Sequence, residues 1–243
     1  MTARQLQFNT SWLLSILAVI VLWILISLAG WQVNRAEQKQ ALLDMQSERI
    51  GQAPTDVTKL DFSTSTLRYL PVLLQGTVDS NQQLLIENQV RHGQVGYFVL
   101  TPIKMANNKA ILLNRGWVAL GSDRSVLPDV AINITRLAVS GKLDYFPSVG
   151  IKLNGADNLT NSWPAVTHVI NLEKVAARLG YDVLPYQVLM DSDQAYGYER
   201  QWLMMKMGPD KHYGYAFQWY AMALTWVIIY VVVSFKKGVR SNE

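Results

Sequence analysis

Two long uncharged segments, one near each end of the chain, constrain the fold more than any other feature of the sequence. Trp12 to Trp31 and Ala216 to Phe235 each contain twenty residues without a charged side chain. At a rise of about 1.5 Å per residue, a helix of that length spans the roughly 30 Å of hydrocarbon in a bilayer. The sequence therefore predicts a membrane protein with two transmembrane helices that bracket a more polar middle.

A cleaved signal peptide is the alternative interpretation of the first segment. Ser27, Leu28 and Ala29 resemble a small-x-small cleavage site after an apolar run. However, the run is longer than the usual core of a signal peptide, the tail before it carries only Arg4, and Trp31 suits a membrane interface. We therefore favour a retained transmembrane helix.

The distribution of charge predicts how the two helices are oriented. Of the 22 Lys and Arg residues, 18 lie between the uncharged segments together with 17 of the 18 acidic residues, so the middle is nearly neutral. Lys236, Lys237 and Arg240 directly follow the second segment, and basic residues at a membrane end mark the cytoplasmic side. No basic, aromatic-rich patch indicates a nucleic-acid partner. The predicted divisions are cytoplasmic tails at 1–11 and 236–243, transmembrane helices at 12–31 and 214–235, and an external domain with a helical stalk at 32–213.

The sequence contains no cysteine. This excludes disulfide bonds, thiolate zinc sites, iron–sulfur clusters, covalently attached c-type haem and a cysteine nucleophile. Sequence motifs of hydrolases, phosphate loops and dinucleotide-binding sites are also missing. The sequence therefore does not predict an enzyme.

Alternating apolar residues and turn signals predict that the external domain is rich in strands. The predicted strands are Arg68–Val78, bent at Gly76, then Gln83–Glu87, Tyr97–Met105, Ala110–Val118, Val130–Phe146, broken at Gly141, Ala165–Ile170 and Tyr186–Asp191. The connection Ala106–Lys109 has turn composition and predicts a hairpin. One helix, Asn171–Leu179, has Asn171 as its N-cap and Gly180 as its stop. We expect an antiparallel α+β domain built as a small barrel or sandwich with one packed helix.

Three polar residues of this domain have a structural interpretation that we prefer to a functional one. His92 lies in a predicted turn and His168 in a predicted strand, where structural or surface histidines are more common than ligands. Arg115 either lies in water at a strand end or reaches a buried carboxylate. Gly116 beside it admits the close approach of another backbone.

A methionine cluster precedes the second uncharged segment. Met204, Met205 and Met207, followed by His212, have the thioether and imidazole groups that suit copper(I). Flexible methionines that pack at a membrane surface explain the same cluster. We prefer the packing interpretation.

His212 lies at the predicted interface between water and the membrane, just before the second uncharged segment. At helical spacing it shares a face with Tyr215, Trp219, Ala223, Trp226 and Tyr230. An interfacial histidine, comparable to Tyr or Trp at the membrane boundary, is one explanation. The other is ligation, because the positive partial charge at a helix N-terminus disfavours imidazolium, and a neutral ring keeps a lone pair for a metal.

Four groups of residues, taken in order, resemble one family of membrane proteins. They are Leu28-Ala29-Gly30-Trp31-Gln32 with Arg35 and Lys39; Tyr69-Leu70-Pro71-Val72 with Gly76; Asn88 through Gly93, Gly96-Tyr97 and Thr101-Pro102 to Asn114-Arg115-Gly116-Trp117-Val118; and His212 with Tyr215-Ala216 and Gln218-Trp219. Their order and spacing between two anchors are similar to those of the surfeit locus protein 1 family, whose members assist the assembly of haem–copper cytochrome c oxidase.

The resemblance implies a non-enzymatic role in oxidase biogenesis. It implies that haem a is bound and passed to subunit I of cytochrome c oxidase, that haem a synthase is a further partner, and that His212 is the iron ligand. From their positions near the outer interface, Trp31 and Trp219 should flank whatever the helix pair holds, and Arg35, Lys206 and Lys211 lie close to that boundary, where haem propionates would need cations. The implied location is the cell inner membrane, with the main domain in the periplasm. A haem-free scaffold that holds an oxidase assembly intermediate is the alternative function.

Overall fold

The computed structural model describes residues 6–8, 10–63, 67–106, 109–123, 125–202 and 208–237. The described residues divide into two compact units, one made of those within 1–45 and 204–243 and the other of those within 46–203. The strands are β1 Leu6–Phe8, β2 Thr55–Asp56, β3 Pro71–Val78, β4 Leu84–Arg91, β5 Gln94–Lys104, β6 Ala110–Ala119, β7 Arg136–Asp144, β8 Ala165–Thr167, β9 Val183–Met190 and β10 Phe235–Lys237. The helices are α1 Trp12–Arg49, α2 Leu172–Leu179 and α3 Pro209–Ser234, and a 3-10 turn covers Val57–Lys59.

Helices α1 and α3 are long and apolar enough to cross a membrane, judged by length and composition. Only 11% of the most apolar stretch of each helix is buried within the protein. A core helix of a soluble protein has the opposite pattern, since its apolar side chains are covered by the rest of the fold. Two apolar helices that bracket a strand-rich domain confirm the predicted fold class.

Five strands of the second unit close into a barrel. The pairings run from β3 to β7, β9, β6 and β5, and the end of β5 pairs again with β3 at Thr77–Lys104 and Val78–Ile103. Strands β4 and β8 extend the sheet beyond β5, and β2 extends it beyond β3. Of the two architectures predicted for the domain, the barrel is the one observed.

The barrel interior and the outer face of the sheet are both covered. Along β6, Ile111 and Leu113 belong to the cluster inside the barrel, whereas Leu112 between them packs in a second cluster with Val175 and Leu179 of α2. Side chains alternate between the two faces of a strand. Burial of both faces therefore explains why the sequence of β6 begins with an uninterrupted apolar run.

Helix α2 begins and ends as its sequence predicts. The side chain of Asn171 accepts hydrogen bonds from the backbone amides of Glu173 and Lys174. At the other end, Gly180 adopts a left-handed conformation with φ of 80° and donates its N–H to the carbonyl of Ala176. These two caps satisfy backbone groups that a short helix leaves unpaired.

The sheet differs from the prediction in the direction of three strand pairings and in the continuity of β7. Three pairings run parallel, namely β2 with β3, β4 with β8 and β6 with β9, so the sheet is mixed rather than antiparallel. Strand β7 runs through Gly141 without a break. A side chain at Gly141 would meet the carbonyl oxygen of Leu189 on β9, so the glycine admits a close neighbouring backbone instead of ending the strand.

Candidate functional site on the helix pair

Three hydrogen bonds join α1 and α3 side by side. Nδ1 of His212 lies 2.8 Å from Oε1 of Gln32, the indole N–H of Trp226 donates to the carbonyl of Ala18 at 3.0 Å, and the hydroxyl of Tyr230 donates to Oγ of Ser15 at 2.7 Å. From the first of these contacts to the second, the position on α1 falls by 14 residues, from Gln32 to Ala18. Over the same distance the position on α3 rises by 14 residues, from His212 to Trp226. The helices are therefore antiparallel neighbours over this length.

The contacting face of each helix repeats every three or four residues. On α3 the residues of this face that are buried or half-buried are His212, Ala216, Trp219, Ala223, Trp226 and Tyr230. On α1 they are Ser15, Ala18, Leu22, Leu25, Ala29, Gln32 and Ala36, and the half-buried Val21, Leu28 and Val33 lie at the edges of this face. Large aromatic side chains on α3 thus face a surface of α1 that combines small residues, such as Ala18 and Ala29, with larger ones, such as Leu22 and Leu25. A spacing that averages 3.5 residues is typical of helices that stay in contact along their length.

His212 lies in the first turn and a half of α3. The helix begins with Pro209 after an extended Gly208, and Asp210 supplies an acidic side chain in its first turn. The imidazole is half-buried, and its Nδ1 contacts the side-chain oxygen of Gln32. Because an amide oxygen only accepts, this contact is a hydrogen bond when Nδ1 carries the proton, and in a neutral ring that arrangement leaves the lone pair on Nε2. Among the residues that the structure describes, none hydrogen-bonds to Nε2.

The other predicted site residues lie on two different faces. Trp219 is half-buried on the same face of α3 as His212, about two turns further into the helix. Trp31 and Arg35 are both exposed on α1, one turn apart, beside the face that carries Gln32. The guanidinium of Arg35 donates to Oε1 of Gln38 at 2.8 Å. The structure therefore brings His212 and Trp219 together on one face and places Trp31 next to Arg35 on another.

Gln32 is the site residue that sequence reasoning missed. Its side chain contacts a residue 180 positions away in the chain, which no local pattern reveals. The available signal is its position, since Gln32 continues the contacting face of Ala18, Leu25 and Ala29 just past the uncharged segment. The methionines of the possible copper site, at positions 204, 205 and 207, lie outside the described residues, as does Lys206.

The two remaining histidines have carboxylate partners in the β domain. His92 lies in the turn between β4 and β5, and its Nε2 is 3.0 Å from Oε1 of Glu199. Nε2 of His168 lies 3.2 Å from Glu87, and its Nδ1 lies 3.0 Å from the amide of Asn88. His168 follows β8 rather than lying within it. In the described part of the chain, no group of three or more His, Asp or Glu residues could hold a metal ion.

Arg115 is structural, but neither predicted environment is correct. Its guanidinium is buried in the domain and donates to the carbonyls of Tyr196 and Val130 at 2.8 and 2.9 Å. It also stacks over the ring of Tyr198. Burial lowers the pKa of Arg115, and hydrogen bonds to backbone carbonyls compensate the loss of water. Gly116, with φ of 116°, admits the segment that contains Tyr198, as the sequence predicted.

The fold and the helix pair define a class of membrane-anchored proteins in which one apolar helix lies on each side of a β-barrel domain in the sequence. Comparison with known sequences identifies the family. The sequence model described as the SURF1 family matches residues 19–224. The chain belongs to this family.

Several curated relatives share parts of the sequence. A SURF1-like protein of Rickettsia conorii is 22% identical over 225 residues, which cover 89% of both chains. A SURF1-like protein of Dictyostelium discoideum is 30% identical over 105 residues, and the match spans 40% of this chain and 39% of that one. The cytochrome oxidase assembly protein SHY1 of Saccharomyces cerevisiae is 28% identical over 106 residues, covering 42% of this chain and 26% of its own. The match to two of these three therefore spans less than half the relative's length.

Proposed function

We propose that this protein assists the assembly of a haem–copper cytochrome oxidase by holding haem a at the helix pair and passing it to oxidase subunit I. Family membership and the name of the yeast relative support the role in oxidase assembly. In this role the protein binds and releases a cofactor and catalyses no reaction. Haem a synthase is the proposed source of the haem, and subunit I is its receiver.

The observation that supports the haem proposal is the hydrogen bonding of the two imidazole nitrogens of His212. Its Nδ1 is engaged by Gln32, while Nε2 has no partner among the described residues. Neutral imidazole with a free lone pair is an ordinary axial ligand of haem iron. His92 and His168 differ, since each has a glutamate at its Nε2.

The surroundings of His212 suit an amphipathic ring. Haem a has an apolar macrocycle and tail, whereas its propionates need water and cations. Trp219 extends the face of His212 into the apolar part of α3, and an aromatic ring offers roughly 150–250 Å² of contact area. Lys211 and Arg35 are exposed cations, Lys211 in the first turn of α3 and Arg35 four residues past the uncharged segment of α1. We assign the apolar part of the haem to Trp219 on the face of His212 and to Trp31 on the neighbouring exposed face of α1, and the propionates to Arg35 beside Trp31.

The proposed location is the inner membrane, with both tails cytoplasmic and the β-barrel domain in the periplasm. The support is the pair of apolar helices together with the three basic residues that follow α3 in the sequence. This orientation places His212, at the start of α3, at the periplasmic interface.

The test is the haem content of histidine variants purified from cells that make haem a. His212→Ala is expected to lose the haem and its Soret band while remaining inserted and folded, because the hydrogen bonds of Trp226 and Tyr230 still join α1 and α3. His92→Ala and His168→Ala are matched controls that should keep the haem. Equal haem content in wild-type protein and His212→Ala would refute the ligand role and favour the haem-free scaffold.

A further inference from the structure

We infer that Gln32 is a positioning residue that holds His212 in the one neutral tautomer able to bind iron through Nε2. The inference rests on the proposed function and extends it to a residue on the other helix. The acceptor at 2.8 Å from Nδ1 is the amide oxygen of Gln32. A neutral imidazole has a single proton, so the proton that Nδ1 donates is the one that would otherwise occupy Nε2.

The position of Gln32 makes this hydrogen bond persistent. Gln32 is half-buried on the face that α1 turns to α3, and the buried Ala29 and Ala36 lie one turn before and after it on that face. Neither alanine side chain offers an alternative polar partner. A partly buried amide that loses its partner costs free energy, so Gln32 and His212 stabilise each other's orientation. The bond also fixes the ring plane, because it ties the imidazole to the neighbouring helix.

Gln32 is uncharged, which suits the partner of a histidine ligand that must release its haem. A carboxylate at the second nitrogen of a histidine raises the basicity of the ligand and strengthens its bond to the metal. An amide oxygen orients the ring in the same way but adds no negative charge. Gln32 therefore gives His212 a fixed direction with moderate ligand strength, as transfer of haem to another protein requires.

The first experiment reads the tautomer directly, without haem. The chain has three histidines, so a His92→Gln, His168→Gln background leaves His212 as the single imidazole for ¹⁵N NMR of the full-length protein in detergent. We expect a protonated Nδ1 and an unprotonated Nε2 at neutral pH. Gln32→Leu should shift the ring towards the mixture of tautomers of free imidazole. A protonated Nε2 in the background protein, or a tautomer unchanged by Gln32→Leu, would overturn the inference.

The second experiment measures haem affinity by Soret titration. Gln32→Leu should weaken binding by about 10- to 100-fold, the usual effect of removing the partner of a metal-bound histidine. Gln32→Glu should bind more tightly than wild type and lower the reduction potential of the haem, since added negative charge favours ferric iron. A purely structural role for Gln32 would predict weaker binding and no directed shift of the potential in both variants.

Gln40→Leu is the matched control for this titration. Gln40 is an exposed glutamine on α1 whose amide donates to Asp44 at 2.8 Å, away from His212. The Gln40→Leu variant should bind haem with the same affinity as the wild-type protein. If wild-type protein binds no haem at all, the proposed function fails, and the NMR result still decides whether Gln32 positions His212. If binding needs His212 but is unchanged in Gln32→Leu, the positioning role alone is refuted.

Discussion

At the scale of single residues, Asp157 connects a loop of the β domain to helix α2. Its carboxylate accepts hydrogen bonds from the ammonium groups of Lys152 and Lys174 at 2.6 and 2.8 Å, and from the amide of Asn171 at 2.9 Å. These bonds, Lys152 first, hold the pKa of Asp157 well below its usual range. Because Asn171 is also the N-cap of α2, the same cluster fixes the start of that helix.

The Asp157 cluster predicts a specific dependence of stability on pH. A carboxylate whose pKa is lower in the folded state stabilises the fold above its unfolded pKa of about 3.9, and this contribution is lost as pH falls through the folded value. Asp157→Asn should therefore be less stable than wild type at neutral pH, and the difference should shrink steadily below about pH 5. Urea unfolding of the detergent-solubilised protein, followed by tryptophan fluorescence, measures it.

Asp193→Asn controls for the loss of a negative charge on the domain. Asp193 is exposed and accepts only a 3.2 Å hydrogen bond from its neighbour Gln194 among the described contacts. The stability of Asp193→Asn should depend on pH in the same way as that of the wild-type protein. A stability difference between Asp157→Asn and wild type that stays constant down to about pH 2 would contradict the proposed linkage.

At the scale of elements, the association of α1 with α3 depends on side-chain contacts between the two helices and not on apolar burial alone. Lipid covers apolar helix faces as well as a partner helix does, so packing and polar contacts decide whether two helices associate. The hydrogen bond between Tyr230 and Ser15 is the contact of this kind that lies furthest from His212. It is expected to hold the far ends of the helices in register.

A double-mutant cycle with Tyr230→Phe and Ser15→Ala tests this contact. Interhelical hydrogen bonds in membranes contribute about 0.6 kcal/mol and rarely more than about 1.7 kcal/mol, so we expect a coupling energy in that range from unfolding in mixed micelles. The control cycle pairs Ser15→Ala with Thr225→Val. The hydroxyl of Thr225 donates to Ala221 within α3, so its coupling to Ser15 should be zero. Equal coupling in both cycles would show that the Tyr230–Ser15 bond is not specific.

Elements set by local sequence were predicted from the chain, and long-range pairings were not. The hairpin of β5 and β6 and the caps of α2 follow from turn and cap residues within a few positions of each other. The parallel pairing of β6 with β9 joins Leu113 to Val188, and nothing in either strand specifies that partner. The contact between His212 and Gln32 is missing from the prediction for the same reason, whereas the candidate ligand itself was visible as a polar residue at a membrane boundary.

At the scale of the whole molecule, the orientation in the membrane decides which compartment contains the β domain. The chain has no native cysteine, so a single introduced thiol can be labelled without background. Ser122→Cys, at an exposed position of the domain, should react with an impermeant maleimide in intact spheroplasts. Ser241→Cys, which follows the basic residues after α3, should react only after permeabilisation. The reverse pattern would place the domain in the cytoplasm.

The most direct measurement of the central claim is the amount of haem a per molecule of oxidase subunit I in cells that carry His212→Ala as their only copy. If the helix pair delivers haem through His212, subunit I isolated from these cells should contain much less haem a than subunit I from cells with wild-type protein or His168→Ala. The variant protein should be present in the membrane at normal levels. A full complement of haem a in subunit I, in cells where deletion of the whole chain does lower it, would contradict the account.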